Sequence, residues 1–182
     1  AKEINGESEP LELLERVLGL AIELEDVEGL WVWFHDKDAE ELQLRASQGL
    51  DDDSQDLLAQ VPSDSALLNQ LLIGNEVVAE WEYVWEESAF ALRKAGWSDL
   101  AVWPLCSNGK TVGALGAGLR GGRNFTSGTK MILRTIAVDL SGLIGRARVE
   151  ADLRNSRYNL KQLFQAFADY VFIVQNNGQI LY

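Results

Sequence analysis

The side chains best equipped for chemistry are few. The chain has one histidine, His35, and one cysteine, Cys106. Acyl-transfer catalysis of the Ser–His–Asp type needs a histidine that accepts a proton, with two further groups converging on it. No such set is marked around His35, which sits at a strand end beside Asp36, so it is expected to be satisfied or solvent-facing. A haem or metal site there would need a second His or Cys at ligand spacing, and the sequence has none. Cys106 ends an apolar strand without a basic neighbour to activate it, and is expected to be a small core residue. A single cysteine also forbids an intrachain disulfide. No catalytic residue and no metal ligand is therefore expected.

Three further patterns resemble motifs by letter only. Gly116-Ala-Gly118-Leu-Arg-Gly121 fits G-x-G-x-x-G, which binds dinucleotides when it follows a strand and itself opens a helix. Here the glycines fall within or at the end of a hairpin strand, and Arg123-Asn-Phe-Thr126 separates them from the next helix. Small residues at a close packing point are the better explanation. Asn124-Phe-Thr126 would matter as a sequon only in a secreted chain. Asp51-Asp52-Asp53 lacks the spaced oxygens of a calcium loop and reads as a solvated turn.

The elements that position these residues follow from periodicity. Leu11, Leu14, Val17, Leu18, Ala21 and Ile22 recur at three and four residues, predicting a helix over 10–25. Leu30 to Phe34 and Leu42 to Ala46 predict a hairpin, closed by Gly49 and the aspartates. Two short helices are expected at 54–60 and 64–73, the second capped by Ser63 or Asp64, then a brief strand at 76–80. A helix from Ser88 to Ala95 stops at Gly96. Ser98–Cys106 and Thr111–Leu119 form a second hairpin around Asn108-Gly109. From Thr126 a long helix runs to about residue 160. Strands arriving as hairpins give an α+β fold, an α/β sandwich whose antiparallel sheet carries helices on both faces and ends in a long connector helix.

At 182 residues with 47% hydrophobic and 24% charged side chains, the chain can bury one good core and a little more. No apolar run reaches 18 residues, so no membrane segment is expected. The acidic, polar start is not a signal peptide. The chain lacks an initiator Met and stops inside an apolar run, so it is expected to be a segment of a longer, cytoplasmic protein. The net charge of −12 is uneven. Residues 1–119 hold seven Lys/Arg against 24 Asp/Glu, while residues 120–161 hold nine against three. The acidic body repels phosphate backbones, and the basic residues are spread along a helix between apolar ones. No nucleic-acid partner is expected.

In the long helix, Leu133, Ala137, Leu140, Ile144, Ala147 and Ala151 recur at alternating four and three, a 3.5-residue period that continues to Arg154 and Tyr158. Such a seam faces a partner helix, although its first part also covers the domain's own sheet. A homodimer through the N- and C-terminal helices is expected. The other reading is a single surface helix with a wide apolar face that includes Ile136 and Leu143.

Gly29-Leu-Trp-Val-Trp-Phe-His-Asp36 with Leu42-Gln-Leu-Arg-Ala46 resembles the first hairpin of a GAF domain. Leu100-Ala-Val-Trp-Pro-Leu105 with Asn108-Gly-Lys-Thr-Val-Gly-Ala-Leu115 resembles the second, and Arg123-Asn-Phe-Thr126 with Met131-Ile-Leu the last helix. Leu163-Phe164, Val171-Phe-Ile-Val174 and Asn177-Gly178 resemble the start of a PAS domain. The organisation implied is a tail at 1–7, a GAF-like domain at 8–145, a connector at 146–160 and a truncated PAS-like start at 161–182. GAF–helix–PAS order is similar to sensor histidine kinases. It implies a non-catalytic sensory module, with downstream PAS and output domains as partners. The cyclic-nucleotide run Asn-Lys-Phe-Asp-Glu is absent, and one cysteine suits neither bilin attachment in this hairpin nor methionine sulfoxide reductase chemistry. No cofactor is implied. The family's ligand region would here carry Trp81, Tyr83, Trp85, Phe90 and Trp97, with Trp103 on the facing strand, enough aromatic surface to enclose an unidentified small apolar molecule. The same residues would equally fill the core of a ligand-free dimerisation spacer. Glu80, Glu82, Glu86 and Glu87 argue against an anionic ligand. A small-molecule enzyme is the alternative of another class.

Overall fold

The computed structural model describes residues 8–25, 27–36, 38–78 and 86–166. Its elements are α1 (Ser8–Glu25), β1 (Gly29–Asp36), β2 (Glu41–Gln48), α2 (Asp52–Leu58), β3 (Gln60–Val61), α3 (Ala66–Leu72), β4 (Val77–Val78), α4 (Glu86–Lys94), β5 (Trp97–Ser107), β6 (Lys110–Arg120) and α5 (Ser127–Ala166). The six strands form one sheet in the order β3-β2-β1-β6-β5-β4, and every neighbouring pair is antiparallel. This is the α+β architecture that the hairpin pattern predicts.

Local chemistry sets the boundaries. Ser107 pairs with Lys110, leaving Asn108-Gly109 as a two-residue turn. Both residues have positive φ, 51° and 71°, the type I′ geometry that matches strand twist and favours Asn-Gly. Helix α2 is capped by the Asp51 carboxylate, which accepts from the Ser54 N–H at 2.8 Å. Ser65, rather than Ser63 or Asp64, caps α3 by accepting from the Leu68 N–H at 3.1 Å.

The chain divides into two compact units, residues 1–145 and 146–182. In the first, one sheet face is covered by α1 and α5. Leu14, Leu18 and Ala21 join Leu133, Ala137, Leu140 and Ile144 over Leu30, Val32, Trp103, Leu105 and Leu115. The opposite face is covered by α2, α3 and α4. Leu58, Leu67, Leu68, Leu71 and Leu92 pack there on Trp31, Trp33, Trp97, Val102 and Ala114. Each fully buried leucine contributes about 1.5–3 kcal/mol of transfer free energy, so the helices on both faces are held by side-chain burial more than by helix propensity.

In the second unit residues 146–166 are helical, so the helix continues past the expected end near residue 160. Val149, Leu153, Tyr158 and Leu160 are exposed there. Most of the expected PAS-like start, from residue 167 onward, lies outside the described residues.

Candidate functional site

On the α2–α4 face three tryptophans meet. Strand β1 alternates, so Leu30 and Val32 face α1 and α5 while Trp31 and Trp33 face the short helices. Trp97 enters from the start of β5. Trp31 contacts Trp33 edge-on at 5.7 Å and Trp97 at 6.3 Å, centroid to centroid. Such contacts add about 0.5–1.5 kcal/mol each beyond their buried area. The Trp33 indole N–H donates to the Leu58 carbonyl at 2.6 Å, and that of Trp97 to Ser54 Oγ at 2.9 Å. Both bonds tie α2 to the sheet. The Trp31 indole N–H is buried with no acceptor among the described residues.

The glycines of β6 make this packing feasible. Gly116 pairs with Trp31, and Gly118 with Gly29. A β-carbon at Gly116 would overlap the Trp31 indole, and one at Gly118 or Gly29 would overlap the Trp97 ring. The G-x-G letters are therefore seats for indole rings on neighbouring strands, as the packing explanation of the sequence requires, and they do not open a helix.

At the sheet end beside Trp97, charged groups enclose the cluster. Arg120 lies 4.2 Å over the Trp97 ring and its Nη2 donates to Asp51 Oδ2 at 2.5 Å. Glu28 accepts from the Arg120 backbone N–H at 3.2 Å and pairs with Arg123. Hydrogen bonds from Ser54, then Arg120, hold the Asp51 carboxyl down at about 2. The site thus binds α2 to the end of β6 through one arginine.

The expected pocket residues are not all brought together. Trp81, Tyr83 and Trp85 lie outside the described residues. Phe90 is on α4 and 73% exposed. Trp97 joins the tryptophan cluster, whereas Trp103 is buried on the opposite face, edge-on to Phe125 at 6.5 Å. Six residues separate Trp97 from Trp103, which on a regular strand puts them on one face. A register shift between Trp97 and Asp99 reverses that parity. A second shift between Leu105 and Cys106 accompanies an exposed Cys106, correcting the core placement expected for it. Trp31 and Trp33, which are central here, were legible as a pair only through the alternation of β1.

The expected dimer residues also divide. Leu133, Ala137, Leu140 and Ile144 are buried in the domain's own core, so they are not free to meet a partner. Ala147 is half-buried and the side chain of Ala151 lies outside the described residues. The exposed apolar residues of α5 are others: Met131, Ile132, Val138 and Leu143 in the first unit, with Leu20 on α1.

Among the described residues no three His, Cys, Asp or Glu side chains gather at metal-binding distance. The buried polar side chains are Ser54, Ser65, Ser88, Asp99, Thr111 and Ser141. Asp99, the one titratable group among them, accepts from the Phe125 N–H at 3.0 Å and fixes the approach to α5. A cleft of about 250 Å³ opens on the α5 side, lined by Gly74, Asn75, Glu76, Trp103, Pro104, Arg134, Ala137 and Val138. Among the described residues no helix is long and apolar enough to cross a membrane.

The family model described as GAF domain matches residues 7–144. No curated protein sequence matches the chain. Among solved structures it is similar to the GAF domain/HD domain protein from Geobacter sulfurreducens, with a TM-score of 0.67 at 14% identity, covering 81% of this chain and 99% of that one. It is also similar to a domain of a putative two-component sensor histidine kinase protein from Sinorhizobium meliloti 1021, with a TM-score of 0.63 at 16% identity over 85% and 99% of the two chains. A methyl-accepting chemotaxis protein segment, residues 122 to 287, gives a TM-score of 0.61 at 14% identity over 77% and 91%.

Proposed function

The chain belongs to the GAF domain family, and from that premise we propose that it is a non-catalytic sensory or regulatory module of a multidomain cytoplasmic signalling protein, a sensor histidine kinase in our reading. It works as a homodimer through α1 and α5, and passes its state along α5 to PAS and output domains. The observation that carries this is the division of labour along α5. Leu133, Ala137, Leu140 and Ile144 serve the domain's own core. Beyond it, Val149, Leu153 and Leu160 are exposed at spacings of four and seven. That spacing puts an apolar stripe on one side of a helix, as in a two-stranded coiled coil. A lone helix with such a stripe is marginal in water, and a second copy supplies the burial it lacks.

Sedimentation velocity of the 182-residue chain tests this. The expected result is a dimer at micromolar concentration that the pair Leu153→Glu and Leu160→Glu converts to a folded monomer. A monomeric unsubstituted chain refutes it.

A second reading, a ligand-free dimerisation spacer, draws support from the α2–α4 face, where three tryptophans seated on glycines occupy the centre. Thermal melting against a small-metabolite panel separates the two, because a ligand that binds only the folded state raises the melting temperature. No shift with any compound selects the spacer.

A further inference from the structure

The cleft beside β5 lies on the face opposite the tryptophan cluster. Among the described residues β4 pairs with β5 at Val77–Val102 and Val78–Ala101, and none pairs with that side of β5 past Val102. Pro104, which has no N–H to leave unpaired, occupies it. Helix α5 forms the other wall. The volume, about 250 Å³, falls just short of the ~300–1,000 Å³ of pockets for drug-sized ligands, which restricts an occupant to a small metabolite.

The lining is chemically two-sided. Pro104, Ala137 and Val138 are apolar, whereas Glu76 and Arg134 bring one charge of each sign. Those two form an ion pair at 3.5 Å with side chains 41% and 69% exposed. A pair so solvated contributes little, so a ligand can enter between its members at small cost. Trp103 adds a donor. It is 2% exposed and lines the cleft, and its indole nitrogen can only donate. A bare anion would meet the field of a chain with net charge −12.

We propose that this cleft binds a small zwitterion, an α-amino acid with an aliphatic side chain. Its carboxylate takes Arg134 and the indole N–H, its ammonium takes Glu76 and the Asn75 side-chain oxygen, and its side chain lies against Pro104, Ala137 and Val138. Because α5 supplies one wall, occupancy bears on the proposed output helix; that consequence rests on the sensory reading, while binding itself does not.

Titration calorimetry of the 182-residue chain with L-alanine, L-valine and L-leucine tests the assignment. At least one is expected to bind, and Arg134→Gln and Glu76→Gln, both surface changes, each weaken it about tenfold or more, since a hydrogen bond to a charged group is lost. The N-acetylated and amidated forms of the binding amino acid are expected to give no heat. Absence of binding by all three, or binding that both variants leave unchanged, overturns the proposal. Neither result alters the oligomeric state of the unsubstituted chain, so failure here is distinguishable from failure of the sensory reading.

Discussion

Adding one methyl group at Gly116 is the sharpest available perturbation of the tryptophan cluster. The new β-carbon would overlap Nε1 and the adjoining ring carbons of Trp31. That ring is fully buried and contacts Trp33 and Trp97 edge-on, so it has no open space to retreat into. Overpacking a well-filled core costs about 1–3 kcal/mol. Replacing glycine inside a strand returns about 0.5–1 kcal/mol of conformational entropy. The collision is with a rigid ring and not a flexible chain end, so the upper part of the overpacking range applies. A net loss of about 1–2 kcal/mol follows, which for a domain of this size lowers the melting temperature by about 2–8 °C. Circular dichroism and tryptophan emission, followed on heating, read the change. The double variant Gly116→Ala with Trp31→Phe should recover at least about 0.5 kcal/mol relative to the sum of the single changes, because the collision is then removed. An unchanged or raised melting temperature for Gly116→Ala refutes the idea that the β6 glycines seat indole rings.

Other consequences are equally concrete. Asp51→Ala should cost about 1 kcal/mol through loss of the α2 cap, measured by urea unfolding at neutral pH. Because hydrogen bonds hold the folded Asp51 near 2, below its usual 3.8, the stability that this shift supplies is complete above the unfolded value. It disappears as pH falls through about 2. The penalty of Asp51→Ala should therefore shrink across that window, and a penalty constant with pH contradicts the assignment. Cys106, exposed at the end of β5, should react with a maleimide in the native state as fast as a free thiol, whereas reaction only on denaturation would restore the core placement. Leu133→Ala should cost about 2–5 kcal/mol, as a fully buried leucine does, while Met131→Ala, two residues away and 70% exposed, should stay within about 0.5 kcal/mol.

What the sequence conveyed was mainly local. The Asn108-Gly109 turn, the alternation of β1 and the long C-terminal helix are all written in neighbouring residues. Side-chain facing on β5 was not, because two register shifts reverse the count that places Trp97, Trp103 and Cys106. A bulge leaves no mark that propensity can detect. The tryptophan cluster depends on β6 crossing between β1 and β5, which brings Gly116 opposite Trp31 from far along the chain. The heptad of α5 was ambiguous for another reason: a helix that covers its own sheet and a helix that pairs with a copy both repeat apolar residues at three and four. Burial assigns Leu133 through Ile144 to the first duty and leaves other positions for the second.

The central claim is that the outward stripe of α5 meets its counterpart in a second copy. Cysteine cross-linking in a Cys106→Ser background tests it most directly, with Leu153→Cys, Leu160→Cys and Gln162→Cys compared under mild oxidation. The account predicts rapid dimer-sized products from positions 153 and 160 and far less from 162, which lies half a turn away from the stripe. Equal yields at all three positions, or none at any, would contradict it.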